Sequence, residues 1–274
     1  MAFTLDGKTY LCVKIVVQIP SMKIVIDSDY KSFEPFILSV SQGEYHPEKV
    51  FCNHRNTVEL VKVADVSWVV KKFKRPTLAN CVIYTWFRKN KAVRAWENAQ
   101  LFKEKGLETA RPVAYIIKKK FGFLHTAFFI SEYLPYPTID KVYSDCKTDE
   151  ERSQLERDFV LFTYHLHQLD IVHRDYNEGN ILVHREPDGF HYAMIDINRL
   201  WLKKNPSQKR CLKSIGMLKM DINQMSRFLN QYASLQGFDP EECMCDVLRS
   251  RQLHRVRSKI KHTLESCIGI KSRR

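Results

Sequence analysis

The stretch that decides the fold is Ile171–Arg199, IVHRDYNEGNILVHREPDGFHYAMIDINR. Two apolar runs, Ile181-Leu182-Val183 and Tyr192-Ala193-Met194-Ile195, flank the turn residues Pro187-Asp188-Gly189, so the segment reads as a β-hairpin. Polar residues gather at its open end. His173-Arg174-Asp175 and Asn180 precede the first strand, and Asp196 with Asn198 ends the second. The hairpin therefore brings Asp175, Asn180 and Asp196 to one edge. Two carboxylates and a carboxamide are hard oxygen donors, the set that suits Mg²⁺ shared with phosphates.

His-Arg-Asp, four residues, Asn, and then an Asp after a hairpin resembles the catalytic core of the protein-kinase-like fold. A chance His-Arg-Asp in a loop does not explain why Asn180 and Asp196 also fall at the right offsets around a turn.

The rest of the 274-residue chain is long enough for one large domain or two lobes, and 44% hydrophobic residues fill a core. Eight cysteines lack C-x-x-C spacing and follow no recognisable secretory signal, which predicts free thiols in a reducing cytoplasm. Cys243-Met244-Cys245 has no histidine at ligand spacing and is read as structural. Apolar runs are too short to span a bilayer; the longest early one, Leu11–Ile19, is broken by Lys14 and Gln18. A formal charge of +13 points to anionic partners: nucleotide phosphates, nucleic acid or an acidic membrane.

In chain order, Tyr10–Ile19 and Lys23–Ile26 read as strand, and residues 1–45 are otherwise uninformative. Lys49–Cys52, Thr57–Val63 and Ser67–Phe73 read as an antiparallel meander. Alternation in the last puts Val69, Lys71 and Phe73 on one face and Val70, Lys72 and Lys74 on the other, so Lys71 is the lysine with apolar neighbours. Asn90–Lys105 reads as a helix stopped by Gly106, with Val93, Glu97 and Leu101 recurring every four residues. Glu97 on that stripe pairs either with Lys71 or, as a surface residue, with Arg94 or a nearby lysine. Ala110–Ile117 and Ala127–Ser131 read as strands, followed by Glu132-Tyr133-Leu134-Pro135 as a hinge whose backbone at Glu132 and Leu134 would bond adenine. Thr148-Asp149-Glu150-Glu151 is a capping box opening a helix with an apolar face at Leu155, Phe159, Phe162 and Leu166.

Past Lys203 the chain reads as helical, with apolar stripes through Ile215, Leu218, Ile222 and Met225. It ends in a basic run (Arg249, Arg251, Arg255, Arg257, Lys259, Lys261) and in Lys271, Arg273 and Arg274. There is no G-x-G-x-x-G, so the turn at His54-Arg55-Asn56 would cover phosphates without glycines. Asp196 is followed by Ile197-Asn198 rather than Phe-Gly, no Ala-Pro-Glu follows, and Asn177 stands where Ser/Thr kinases usually carry lysine. These departures argue against a regulated protein kinase.

Taken with VVKKFKRP (Val69–Pro76), KEKGLETARPVAY (Lys103–Tyr115), HRDYNEGNIL and IDINR, the chain resembles the lipopolysaccharide core kinases of the Kdo/WaaP (InaA-type) family from about Met22 onward. The resemblance implies an α+β, two-lobed protein-kinase-like fold: a small antiparallel β-sheet lobe with one main helix over 22–131 and a larger, mostly helical lobe over 132–274, with 1–21 as an extension. It implies ATP- and Mg²⁺-dependent phosphorylation of a Kdo or heptose hydroxyl on a lipid A-core acceptor, by a peripheral protein at the cytoplasmic face of an anionic membrane, with no nucleic acid. Asp175 would be the catalytic base, Asn180 and Asp196 the metal ligands, and Lys71 the phosphate anchor supported by Glu97. A RIO-like or aminoglycoside-type kinase, or a non-catalytic basic nucleotide- or RNA-binding module, are the alternatives.

Overall fold

The strand around Lys71 runs from Val66 to Phe73 and lies third from one edge of a seven-stranded antiparallel sheet. The computed structural model describes residues 2–5, 8–11, 14–54, 56–77, 83–84 and 88–267. Arg55 of the expected phosphate-covering turn, Lys271, Arg273 and Arg274 lie outside them. The chain divides into two units, Met1–Leu134 and Pro135–Arg274.

In the first unit β1 (Ala2–Leu5) and β2 (Lys8–Leu11) form a separate hairpin. The sheet contains β3 (Lys14–Ile19), β4 (Met22–Asp27), β5 (Lys49–Asn53), β6 (Asn56–Val63) and β7 (Val66–Phe73). After the short β8 (Glu108–Thr109), β9 (Pro112–Lys120) and β10 (Phe123–Glu132) complete it in the order β3-β4-β9-β10-β7-β6-β5. Strict two-residue alternation gives it two buried faces. One carries Ile24, Ile26, Trp68, Val70, Ile116 and Ile130 under Ile37 and Val40 of helix α1 (Glu34–Gln42). The other carries Val25, Phe73, Tyr115 and Ala127 under Ala92 and Trp96 of helix α2 (Lys91–Glu104).

Helix α2 is the main helix expected from the sequence; its Asn90 cap accepts from the Ala92 and Val93 N–H groups, and Gly106 stops it at φ 67°. Helix α1, in the stretch that reads as uninformative, covers the opposite face. Tyr30, Phe33 and Phe36 pack on the Trp68 ring at 5.9, 4.9 and 5.5 Å. Its start and stop signals are present, Pro35 in the first turn and Gly43 at φ 84°, but only the aromatic contacts with distant Trp68 show what the helix covers.

The expected extension over 1–21 is corrected for its second half. Lys14–Ile19 pairs residue for residue with Met22–Asp27 as the outer strand, and Ile15 and Val17 pack against the core while Val16 and Ile19 face out. Deleting residues 1–21 is expected to lower the thermal midpoint of the first unit, because it bares the edge of the fully buried Ile24 and Ile26 strand. A truncated chain with an unchanged midpoint would restore the boundary at Met22.

The second unit is built on α3 (Ile139–Asp145), α4 (Asp149–Gln168), α5 (Gln208–Ile215), α6 (Ile222–Gln236) and α7 (Pro240–Cys267). Thr148 caps α4 by accepting from the Glu151 N–H, but Glu151 reaches back to the Lys147 N–H, one residue earlier than the expected box. Leu155, Phe159 and Leu166 are buried, and Phe159 meets Tyr176, Tyr192 and Phe228. Ile215, Leu218 and Met225 are buried as their stripe predicts. Ile222 is not: it opens α6 and is 59% exposed. Cys52, Cys146, Cys211, Cys243 and Cys245 are free thiols.

Candidate active site

The decisive hairpin is β12 (Ile181–Glu186) and β13 (Gly189–Met194), paired from Ile181↔Met194 to Glu186↔Gly189. At its open end the Ile195 N–H donates to the Asn180 carbonyl at 3.0 Å, which holds Asn180 beside the approach to Asp196. A second clasp closes the same end. Strand β11 (Ile171–His173) pairs antiparallel with β14 (Leu200–Leu202), and the Arg174 N–H donates to the Arg199 carbonyl at 2.9 Å. Asp175 and the Asp196–Arg199 segment are thereby drawn together, as the spacing predicts.

His173 is a strut rather than a reagent. It is 2% exposed, and its Nδ1 accepts from the Asp175 N–H at 3.2 Å, so the proton resides on Nε2, which donates to the Asp196 carbonyl at 3.3 Å. Burial lowers its pKa and keeps the ring neutral. One imidazole thus joins the backbones of both aspartates. Ser214 of α5 donates to the His173 carbonyl at 2.6 Å.

Each aspartate carries an asparagine two residues on. The Asn177 amide donates to the Asp175 carbonyl at 3.0 Å and to its Oδ1 at 3.4 Å, while its own Oδ1 accepts from the Gly179 N–H at 3.1 Å. The Asn198 amide donates to Asp196 Oδ1. Arg199 Nη1 stands 3.6 Å from Asp175 Oδ2. Asn180 donates its amide to the Asp175 carbonyl at 2.8 Å, and its Oδ1 is the acceptor of that side chain. Asp196 has φ 55°, a left-handed conformation that aspartate tolerates and that recurs at functional turns. Among the described residues, the Oδ1 of buried Asn198 has no hydrogen-bond partner. Sequence reasoning gave no role to Asn177, Asn198 or Arg199; the repeated Asp-x-Asn at 175–177 and 196–198 was the available signal.

The donor set fits Mg²⁺. Among the described residues no group of three or more His, Cys, Asp or Glu side chains could hold a metal. An ion at Asn180 and Asp196 would therefore take its remaining ligands from phosphate oxygens and water, the habit of this cation.

In the first unit Lys71 lies on the α2 face of β7, opposite Val58 and Phe129 in the adjoining strands, with Nζ 5.6 Å from the Phe73 ring. Of the two readings of Glu97, the neighbouring lysine prevails: Lys89 Nζ is 2.6 Å from its Oε1. Both side chains are substantially exposed, so this pair holds little energy. At the expected hinge the Glu132 and Tyr133 N–H groups are taken by the Arg111 and Ser67 carbonyls, both at 2.9 Å. The Leu134 N–H has no partner among the described residues.

The sequence model of the lipopolysaccharide kinase (Kdo/WaaP) family matches residues 49–235. The chain belongs to that family. The match spans the meander carrying Lys71, helix α2 and the whole Asp175–Asp196 arrangement, and membership makes the protein a kinase. A solved structure of WaaP in complex with acyl carrier protein shares the fold, with a TM-score of 0.58 at 16% identity over 86% of this chain and 98% of that one. No curated protein sequence matches the chain.

Proposed function

We propose that the protein transfers the γ-phosphoryl group of ATP to a hydroxyl of an inner-core lipopolysaccharide sugar, Kdo or heptose. The observation that carries this reading is the convergence of Asp175, Asn180 and Asp196 on one hairpin end, held by His173 and the two Asp-x-Asn pairs. Asp175 accepts the proton of the acceptor hydroxyl. Arg199 and Asn177 hold its carboxylate in orientation. Asn180 Oδ1 and the Asp196 carboxylate are the groups that would hold Mg²⁺, which would supply neutralisation of phosphate charge there. Lys71 anchors phosphate oxygens, with Glu97 exchanging its exposed partner Lys89 to support it, and the Glu132 carbonyl and Leu134 N–H receive adenine. Phosphoryl transfer asks mainly for positioning and charge neutralisation, which these side chains supply. Mass spectrometry of lipid A-core from a deletion strain tests the reading: loss of one phosphate from Kdo or heptose is expected. An unaltered glycolipid, with purified enzyme phosphorylating protein instead, would overturn it.

Such an acceptor sits in a membrane, and no described helix is long and apolar enough to cross one. Helix α7 offers a surface alternative. Leu253, Val256 and Ile260 recur three and four residues apart and are 55%, 47% and 54% exposed, with exposed Arg255, Arg257 and Lys259 interleaved. Arg251 does not belong to this surface: it is half-buried, donating to the Gly216 and Leu218 carbonyls at 3.2 and 2.6 Å. Adsorption to anionic liposomes is expected, at about 1 kcal/mol per basic residue and fading with salt. Arg255→Glu with Arg257→Glu should weaken it without changing ATP affinity. Binding indifferent to both salt and these substitutions would exclude α7 as the contact.

A further inference from the structure

Strands β9 and β10 meet in the two-residue turn Phe121-Gly122, and both turn residues have positive φ, 52° and 79°. Positive φ at both positions is the backbone of a type I′ hairpin, which ordinarily takes Asn or Asp followed by Gly. A bulky aromatic residue in the left-handed region is strained, and strain of this kind gathers at functional positions. The ring gives the fold little in return. Phe121 is 86% exposed, the most of any large hydrophobic among the described residues, and Lys120 Nζ stands 5.6 Å from its ring centroid. Phe123, the first residue of β10, is 38% exposed. Ile19, at the neighbouring turn between β3 and β4, is 42% exposed; the two turns are tied by the Lys119 N–H, which donates to the Ser21 carbonyl at 2.7 Å.

Cations surround this apolar tip on both faces of the sheet. Two-residue alternation places Lys72, Lys118 and Lys120 with Val70 and Ile116 on the α1 face, and Lys23 and Lys119 with Val25 and Ile117 on the α2 face. Lys118 is committed to the Ser41 carbonyl at 2.9 Å. Lys23, Lys72, Lys119 and Lys120 are exposed and form no ion pair among the described residues. Arg75 follows the end of β7, where Phe73 pairs with Ala127. These charges converge on His125: burial first, and then the like charge of Arg75, Lys120, Lys118 and Lys72, holds its pKa below the ordinary value. Residues 112–131 contain no Asp or Glu to offset them.

The arrangement selects its partner. A peptide or a nucleic acid lies along one face of a sheet, whereas here the cations flank both faces and the exposed apolar residues stand at the end. A bilayer offers the complement, with anionic headgroups around the point of entry and an apolar boundary for aromatic rings just beneath them. We propose that the β9–β10 tip is a membrane-docking device: Phe121 and Phe123 enter the headgroup boundary of an anionic bilayer, and Lys23, Lys72, Lys119, Lys120 and Arg75 bind its headgroups. The device uses no residue of helix α7. It does not depend on the kinase reading, because neither nucleotide nor acceptor takes part.

The test is co-sedimentation of the full chain with vesicles of phosphatidylglycerol and phosphatidylcholine, without nucleotide, and with phosphatidylcholine vesicles as the control. Phe121→Asn relieves the turn, so the thermal midpoint should hold or rise while the partition coefficient falls about tenfold. Lys119→Glu with Lys120→Glu should lower it about tenfold or more and flatten its salt dependence. Phe121→Trp should be quenched by lipids brominated in the upper acyl chain, beyond the quenching of the native tryptophans in the wild type. A Phe121→Asn chain with unchanged partition or a lower midpoint, or a Phe121→Trp chain quenched no more than the wild type, would overturn the proposal. Loss of binding on Arg255→Glu with Arg257→Glu alone would assign the membrane contact to α7 instead. Equal binding to the control vesicles would remove the role of the cations, and a larger effect of Phe121→Asn on single-stranded RNA than on vesicles would give the surface to nucleic acid; either result overturns the proposal.

Discussion

Asp196→Asn is expected to abolish metal-dependent phosphotransfer, because it removes the one anionic ligand of the proposed metal site, whose other proposed protein donor, Asn180, is neutral. The substitution is nearly isosteric, and Asn198 stays buried beside it. The loss is therefore expected without unfolding, with an unchanged thermal midpoint as the control. Asp175→Ala should behave differently. Its Asn180 and Asn177 partners bond the backbone carbonyl, which alanine keeps, so the loop persists and nucleotide binding remains. Turnover should fall by about 10² to 10⁴, the usual contribution of a positioned base. The comparison is made with phosphotransfer to the glycolipid acceptor and nucleotide binding measured on the same preparations. Wild-type transfer in both variants would show that neither carboxylate belongs to the site.

Lowering the pH from about 6.5 to about 4 is expected to cost the second unit on the order of 3 kcal/mol. His167 lies buried with its Nδ1 2.7 Å from the Tyr232 hydroxyl, and burial pushes its pKa down to about 4. An unfolded chain protonates the same imidazole near pH 6.5. As pH falls through that window the unfolded state gains the proton first, so stability that is complete above about 6.5 drains away toward 4. Neutral, buried His173 acts in the same direction. Glu156, held below the usual carboxylate range by Arg227, adds its loss only at still lower pH, where the unfolded carboxylate protonates. Urea midpoints at pH 7.5 and 4.5 check this. The wild type should drop steeply, and His167→Gln, which has no charge to gain, should drop less. Equal slopes in the two proteins would assign the acid sensitivity elsewhere.

The sequence by itself determined the hairpin at Pro187-Asp188-Gly189, the meander ending at Phe73, the Gly106 stop of α2 and the offsets that bring Asp175, Asn180 and Asp196 to one end. All of these are written in local chemistry: turn residues, two-residue alternation and helix stop signals act over a few neighbouring positions. What only the tertiary structure decided are contacts between segments far apart in the chain. Helix α1 matters because Tyr30, Phe33 and Phe36 close on Trp68, and the hairpin of Lys14–Ile19 with Met22–Asp27 belongs to the sheet because its second strand pairs with Ala114–Lys118. Arg251 departs from its basic run because two carbonyls of the 216–218 loop face it. Glu97 takes Lys89, eight residues before it, where its helical stripe pointed to Lys71. The same limit hid the cavity whose walls come from five segments between residues 139 and 228. Periodicity says which side of an element is apolar; which distant element covers that side, and which polar partner comes within reach, is settled only when the segments pack.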